Sequence, residues 1–216
     1  MYIFQPDRYL LEKQIKQAGK YITGRVLDVG AGEFDRYGGV FNCGEYIRMD
    51  VNAGLNIDVV GSADNIPFAD SSFDSVVSTQ VFEHLANPLK AAKEVYRVLK
   101  TGGILLITVP QWNELHSEPH DYWRYTKFGI KELFEKQGFK MVEIHQRGGY
   151  FTTLAQMNIR YLIDRFSLYN RPFLGKIFNQ FIKVFGGLMI GLDGLDKSQA
   201  NRKHTIGWCA VFKKLG

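Results

Sequence analysis

The stretch that decides the fold is "RVLDVGAGEFDRY", residues 25–37. A run of β-forming apolar residues leads directly into Gly30, Ala31 and Gly32. Because glycine has no Cβ, such a turn can bend sharply and lets a ligand approach the backbone closely. A dinucleotide-binding loop would have its third glycine at position 35, where this chain has Asp35. The stretch therefore predicts a strand followed by a ligand-binding turn and leaves the ligand open.

Further apolar runs and helical segments alternate after this stretch. Each run is continuously hydrophobic, which is typical of strands buried on both faces of a parallel sheet. Residues 87–103 predict a helix with Asn87 as its cap, Pro88 at its first position and a stop at Gly102. The predicted buried face of that helix comprises Leu89, Ala92, Tyr96 and Leu99. A second helix is predicted between a cap at Thr126 and a stop at Gly138. The alternation predicts a doubly wound α/β sheet.

The two ends of the chain depart from this alternation. Residues 7–21 predict a leading helix capped by Asp7. Residues 150–204 are aromatic and apolar with interspersed basic residues, and a strand returns only in "TIGWCAVFKK", residues 205–214. A gap of that length is too long for a plain connection, so we predict a helical insertion packed beside the sheet. We expect residues 1–216 to form one domain that contains this insertion.

Composition limits the functional classes. The formal net charge is +5 and the pI about 9.1, but carboxylates are interspersed among the basic residues, so we expect no nucleic-acid partner. Cys43 and Cys209 stand far apart with no CxxC pair, which favours a reducing cytoplasm. Acidic residues near the N-terminus argue against a secretion signal. The longest apolar stretch, residues 177–192, is interrupted by polar residues, and we expect it to be too short to span a bilayer.

A carboxylate at the end of the second predicted strand narrows the choice of ligand. Asp50 follows the glycine turn by about twenty residues and suits bidentate binding of both ribose hydroxyls. NAD and S-adenosylmethionine both contain that ribose. A pyrophosphate prefers bare amides at a helix N-terminus, whereas Glu33 and Asp35 put negative charge beside this turn. The sulfonium cation of S-adenosylmethionine tolerates such carboxylates, so the sequence favours it over NAD.

Several sequence motifs follow one another along residues 21–148. "VLDVGAGEF", "MDV" and the segment from "VVGSADNIPF" through "GGILLITVP" resemble the class I S-adenosylmethionine-dependent methyltransferases, in the branch of small-molecule methylators. The resemblance covers residues 21–148. It implies a Rossmann-like seven-stranded sheet whose last strand is antiparallel, with the helical insertion before that strand.

The resemblance also implies a set of cofactor-binding residues. They are Asp28, Gly30, Ala31, Gly32, Asp50, Val51, Ser62, Ala63, Asp64 and Gln80. The glycine turn would lie under the methionine portion, with Asp28 bracing it or reaching the amino group and Gln80 lining the same side. Asp50 would bind the ribose and Val51 would pack on the adenine. The family usually has an acidic residue after a glycine for the adenine amino group, but here Ser62 takes that place, so Ser62, the Ala63 amide and Asp64 remain alternatives.

Methyl transfer to a hydroxyl or protonated amine needs a base, and histidine is the usual one near neutral pH. We predict His84, His120 and Asp121 as catalytic residues. His84 follows the fourth predicted strand, and the other two lie in the polar and aromatic loop "WNELHSEPHDYWRYT", residues 112–126. The alternatives are a histidine that supports a helix start and an aromatic clamp over the cofactor. The spacing of His116 and His120 permits a metal ion, but we predict no metal site.

Two segments of the chain bear on the methyl acceptor. "HDYWRYT", residues 120–126, resembles methyltransferases of bacterial surface-polysaccharide and glycolipid biosynthesis, which implies a sugar. Residues 160–195 mix apolar and basic side chains, as does a lid over an apolar substrate or a peripheral helix at the inner membrane face of a cytoplasmic protein. We therefore predict methyl transfer to an oxygen or nitrogen of a small or lipid-linked acceptor. A non-catalytic scaffold of the same fold and an NAD-dependent oxidoreductase are the alternatives.

Overall fold

The computed structural model describes residues 2–34, 37 and 39–216. Asp35, which replaces the expected third glycine, lies outside the described residues. The helices are α1 Pro6–Ala18, α2 Pro88–Val98, α3 Lys127–Glu135, α4 Tyr150–Arg165, α5 Pro172–Leu195 and α6 Gln199–Arg202. The strands are β1 Arg25–Val29, β2 Glu45–Asp50, β3 Val59–Val60, β4 Phe73–Thr79, β5 Leu99–Pro110, β6 Phe139–Arg147 and β7 Gly207–Lys214.

The chain forms two compact units. The sheet unit comprises residues 15–110, 115–145 and 208–216, and the helical unit comprises residues 1–14, 111–114 and 146–207. Within the described ranges the sheet has seven strands in the order β3-β2-β1-β4-β5-β7-β6. Strands β1 to β5 pair in parallel with their neighbours, and the last strand is antiparallel. The predicted Rossmann-like fold, with helices before its last strand, is confirmed.

The sheet unit has a core of side chains from the central strands and the helices that cover them, including Phe73, Leu105 and Phe134. The cap at Thr126 is confirmed, since its side chain accepts a hydrogen bond from the Gly129 amide. Helix α2 is shorter than predicted. It ends at Val98, and β5 begins at Leu99, before Gly102 and Gly103.

The buried face of α2 also differs from the predicted one. Its buried residues are Ala91, Ala92, Val95 and Val98. The predicted face included Leu89, whose side chain is 43% exposed. Pro88 and the Asn87 cap set the start of the helix, and the small alanines rather than Leu89 then face the sheet.

The helical unit has a core of its own. Ile159 and Ile163 of α4 pack with Ile182 of α5. A carboxylate from the end of α5 accepts hydrogen bonds from the backbone amides at the start of α4. Asp193 is the acceptor for the amides of Gly149, Phe151 and Thr152, at 2.6–3.1 Å. These amides belong to the unpaired donors that every helix N-terminus presents, so Asp193 fixes the two helices to each other.

Helix α5 corrects the expectation that its apolar stretch is too short for a bilayer. It has 24 residues and a mean hydropathy of 1.2 over its most apolar window, so it meets the length and composition of a membrane-crossing helix. Only 17% of that window is buried. The polar residues that appeared to interrupt the stretch, Asn179, Gln180 and Lys183, lie inside a continuous helix, because polar side chains do not end a helix.

Asp7 was predicted to cap α1, but the structure places it inside the helix, after Pro6. Its carboxylate accepts a hydrogen bond from Nη1 of Arg147 at 2.7 Å, and the Arg147 side chain is fully buried. Arg147 also donates to Gln14 through Nε. The carboxylate of Asp7 therefore neutralises a buried guanidinium rather than capping the start of α1.

Replacing Asp7 with alanine is expected to destabilise the protein by about 3–5 kcal/mol, because it leaves the buried Arg147 charge without its partner. Urea unfolding monitored by circular dichroism measures this change. Glu12→Ala, an exposed change on the same helix, is the control and should cost less than about 1 kcal/mol. Equal stability of the two variants would show that Asp7 does not neutralise Arg147.

Candidate active site

The glycine turn after β1 has the backbone geometry that only glycine adopts easily. Gly30 has φ +74° and Gly32 has φ +68°. The amides of Gly30 and Ala31 both donate to the Met49 carbonyl, at 2.8 and 3.1 Å. A Cβ on Gly30 would lie 2.4 Å from a methyl group of Val81, whereas a Cβ on Gly32 would meet nothing within 4 Å. Gly30 is thus needed for packing, and Gly32 borders open space that a ligand can occupy.

Asp50 lies at the end of β2 and faces this turn. Its Oδ2 accepts a hydrogen bond from the Gly32 amide at 3.1 Å and its Oδ1 accepts one from the Asn52 amide at 3.0 Å. An ionised carboxylate has about four acceptor positions, so each oxygen can still accept from a ribose hydroxyl. The Asp50 carbonyl accepts from the Gly61 amide at 2.9 Å, which holds the next turn beside it.

That next turn carries the three alternatives for the adenine contact. Ser62 donates its hydroxyl to Oδ1 of Asp64 at 2.6 Å, and this bond lowers the pKa of Asp64. Asp64 also lies 3.5 Å from Nζ of Lys90. Ala63 is buried, and the side chain of Val51 is 63% exposed. The turn therefore presents a hydrogen-bonded Ser62–Asp64 pair next to Asp50.

Asp28 and Gln80 line the same end of the sheet. Asp28 is 4% exposed, and its Oδ2 accepts a hydrogen bond from the Tyr46 hydroxyl at 2.7 Å. Gln80 directly follows β4 and has φ +56°, a strained value for a residue with a side chain. Its amide and its side chain both donate to Thr108, at 3.0 and 3.1 Å. Two bonds to β5 thus hold Gln80 in a conformation that is typical of functional sites.

His84 follows β4 in a short 3-10 turn. Its Nδ1 lies 2.6 Å from the His120 carbonyl, and because a carbonyl only accepts, Nδ1 carries the proton. The lone pair of a neutral His84 is therefore on Nε2. Partial burial lowers the pKa of His84, so the ring is neutral at pH 7. A neutral imidazole with an oriented lone pair is what a general base requires.

The other two predicted catalytic residues, His120 and Asp121, do not contact each other through their side chains. Asp121 makes two hydrogen bonds of 2.7 Å to the Arg124 guanidinium, which lowers its pKa to about 2. It also accepts from the amide of His116 at 2.9 Å and lies 3.4 Å from that ring's Nδ1. His120 is exposed, and its Nδ1 lies 3.0 Å from the Tyr122 hydroxyl. Asp121 thus orients His116 rather than its sequence neighbour His120, because adjacent side chains point apart.

Glu83 is a site residue that the sequence analysis missed. Its side chain has no exposed surface, and Oε1 lies 3.9 Å from Nε2 of His84 and 4.0 Å from Nε2 of His116. The two imidazole rings meet edge to face with centroids 4.8 Å apart. The amides of Tyr122 and Trp123 donate to the Glu83 carbonyl, so the loop is hydrogen-bonded to this turn. A single glutamate after a strand has no sequence signal, because its partner His116 lies in a distant segment.

The same three residues form a group that has the ligand types of a divalent-cation site. One ligand atom from each of Glu83, His84 and His116 lies within 4.8 Å of the others. The predicted absence of a metal stays a prediction. The arrangement supplies, in either case, a buried carboxylate and two imidazoles with Nε2 facing it.

The fold, the glycine turn and the carboxylate of Asp50 together indicate a class of protein. The open space at Gly32, the free acceptor positions of Asp50 and the adjacent turn fit the methionine, ribose and adenine portions of S-adenosylmethionine. Residues 27–107 match the family model described as a methyltransferase domain. Over these residues the chain thus matches a methyltransferase domain, and the sheet has the class I fold, the class whose cofactor is S-adenosylmethionine.

Two relatives and one solved structure show what the chain is similar to. Demethylmenaquinone methyltransferase of Paenarthrobacter aurescens is 35% identical over 98 residues, which cover 43% of this chain and 36% of that protein. The ubiquinone/menaquinone biosynthesis C-methyltransferase of Haemophilus ducreyi is 33% identical over 105 residues, covering 38% and 40%. The matches span about two fifths of those relatives. The solved phosphoethanolamine N-methyltransferase 2 of Haemonchus contortus shares the fold, with TM-score 0.60, 21% identity and coverage of 96% and 53%.

Alanine substitutions at Gly30 and Gly32 are expected to affect different properties, stability at the first and cofactor binding at the second. Gly32→Ala is expected to weaken S-adenosylhomocysteine binding at least tenfold, because its Cβ fills the open space beside the turn, and to cost only about 1 kcal/mol of stability for the backbone strain. Gly30→Ala, by contrast, should lower the melting temperature more strongly because of the Val81 contact. Calorimetric titration and thermal unfolding measure the two effects. Unchanged binding by a folded Gly32→Ala protein would place the cofactor elsewhere.

Proposed function

We propose that the protein transfers the methyl group of S-adenosylmethionine to a small-molecule acceptor, with His84 as the general base. The observation that supports this role is the 2.6 Å contact between Nδ1 of His84 and the His120 carbonyl. It directs the lone pair to Nε2, and the lowered pKa keeps that lone pair available at neutral pH. Glu83 is placed to stabilise the imidazolium that forms when His84 takes a proton.

The chemistry requires few groups from the protein. Bound S-adenosylmethionine supplies an electrophilic methyl group on a good leaving group. Transfer would form a bond from the acceptor atom to that carbon and break the carbon–sulfur bond, whose electron pair would stay on the sulfur. Nε2 of His84 takes the acceptor's proton. His116 and Asp121 act as positioning residues, because Asp121 orients the His116 ring beside Glu83.

The acceptor atom within this proposal is an oxygen or nitrogen, as the sequence predicted. The relatives named for quinone methylation favour a ring carbon as the second candidate, and a ring carbon also loses a proton on methylation. The family match ends at residue 107, before the loop that contains His116 and Asp121. The family match therefore supports the proposed cofactor-binding residues more than the loop residues that would contact the acceptor. A sugar and a lipid-linked acceptor are the finer forms of the proposal, and no relative supports the sugar.

A transfer assay tests the proposal. The protein is incubated with S-adenosylmethionine labelled in its methyl group and, in separate reactions, with quinols, catechols, amines, glycosides and lipid-linked sugars. The expected result is label in one acceptor class, with loss of transfer in His84→Asn. If every class stays unlabelled while S-adenosylmethionine binds, the scaffold alternative takes the place of this proposal.

A further inference from the structure

The most unusual surface of the described residues is the outward face of α5. One face of this helix is buried, through Gly175, Ile182 and Gly186. The opposite face is an apolar stripe at helical spacing, which we call the α5 stripe. The α5 stripe comprises Phe173, Ile177, Phe181, Val184, Leu188 and Leu195, whose side chains are 45–79% exposed. A helix that is apolar on both its inward and its outward face exposes a large hydrophobic surface to water, which is energetically unfavourable.

The length of this surface is a second observation. A helix of 24 residues is about 36 Å long, and the α5 stripe runs from its second residue to its last. Scattered single apolar residues on a protein surface need no explanation, but a continuous row along six turns does. The row contains large aromatic and branched side chains and no carboxylate.

The charges around the α5 stripe are all of one sign. Residues 165–192 include Arg165, Arg171, Lys176 and Lys183 and contain neither aspartate nor glutamate. All four basic residues are exposed. Asp193, which follows, faces inward and caps α4. A flank of cations beside an apolar row complements an anionic lipid surface, where each basic side chain contributes about 1 kcal/mol.

We propose that the α5 stripe docks the protein on an anionic bilayer, with α5 lying in the plane of the interface. Apolar side chains would enter the acyl boundary, and Lys176 and Lys183 would contact lipid phosphates. The inference does not depend on methyl transfer. Joined to the proposed function, it favours an acceptor that resides in or on a membrane.

Contacts on the inward face distinguish a helix that lies on the bilayer from one that crosses it. Oδ1 of Asn179 accepts a hydrogen bond from the Phe4 amide at 2.8 Å. A Cβ on Gly186 would lie 2.8 Å from the Phe4 ring, so the two are in close contact. A crossing helix would have to give up these contacts, the Asp193 cap and its part of the helical core. The structure therefore favours peripheral docking.

Vesicle co-sedimentation of the full chain tests the inference. The vesicles are phosphatidylcholine alone or phosphatidylcholine with 30% phosphatidylglycerol. We expect binding to the mixed vesicles that falls at least tenfold in 0.5 M NaCl or without the anionic lipid. Phe173→Ser/Phe181→Ser/Leu188→Ser should lose about 100-fold in binding. Its control, Phe128→Ser, changes an exposed aromatic residue on α3 and should bind normally.

Charge variants and two further outcomes complete the test. Lys176→Gln/Lys183→Gln should bind mixed vesicles about 30-fold more weakly. The control Lys131→Gln/Lys136→Gln, which changes one lysine on α3 and one at its C-cap, should bind as the wild type does. The inference is overturned if the wild-type protein ignores both vesicles. Binding that resists carbonate extraction would indicate a crossing helix instead. A dimer that the triple serine variant dissociates would assign the α5 stripe to a second copy of the chain.

Discussion

Asp50→Ala is expected to weaken the binding of S-adenosylhomocysteine by about 10- to 150-fold, as measured by calorimetric titration. The figure corresponds to about 1.5–3 kcal/mol for hydrogen bonds to a charged group. The reason lies in the position of the carboxylate, which already holds the Gly32 amide and keeps acceptor positions for both ribose hydroxyls. Loss of the side chain removes the ribose contact and loosens the glycine turn in the same step.

Two further variants separate these contributions. Asp50→Asn keeps one oxygen that can accept from the Gly32 amide but lacks the charge, so its loss of affinity should be smaller than that of alanine. Asp70→Ala removes an exposed carboxylate elsewhere in the sheet unit and should bind the cofactor normally. Circular dichroism confirms that each protein is folded. Wild-type affinity in a folded Asp50→Ala protein would remove Asp50 from the cofactor site.

His84→Asn is expected to lower kcat by about 10²- to 10⁴-fold, the usual contribution of a general base, while the affinity for the cofactor stays unchanged. The asparagine amide can still donate to the His120 carbonyl as Nδ1 does, but nothing replaces the Nε2 lone pair. A purely structural role for His84 would be largely rescued by this substitution. His145→Ala, which removes an exposed histidine on β6, is the matched control.

The pH profile gives an independent reading of the same residue. The active form of a base is the unprotonated one, so kcat falls as the pH drops through its pKa. Burial lowers the pKa of His84 below its ordinary value of 6.5, so the acidic limb should lie below that pH. The limb should vanish in His84→Asn, where the residual rate is expected to change little with pH. A limb that persists unchanged in the variant would assign the titration to another group.

The glycine turn and the carboxylate that contacts it were predictable because their signals are local. A parallel strand buried on both faces is a continuous apolar run, and the turn that follows it needs glycines at Gly30 and Gly32. Asp50 ends the next strand, so the sheet itself brings it to the turn. The Ser62 position shows the limit of this reading, because sequence left three alternatives and the structure joins two of them, Ser62 and Asp64, in one hydrogen bond.

The acceptor half was less predictable because its residues meet only through tertiary structure. Sequence proximity could not decide which histidine Asp121 contacts, and the loop turns Asp121 to His116 and Arg124. Glu83 lies beside a histidine that was recognised, but its burial depends on the loop folding back onto it. The reading of Asp7 as a cap had the same cause, since its true partner, Arg147, is 140 residues away in the chain.

The measurement that tests the central claim most directly is calorimetric titration of the wild-type protein with S-adenosylmethionine, S-adenosylhomocysteine and NAD. The structure and the methyltransferase-domain match predict micromolar binding of both sulfur compounds and none of NAD. Binding of NAD, or of none of the three by a folded protein, would contradict the assignment of the glycine turn and Asp50 to S-adenosylmethionine.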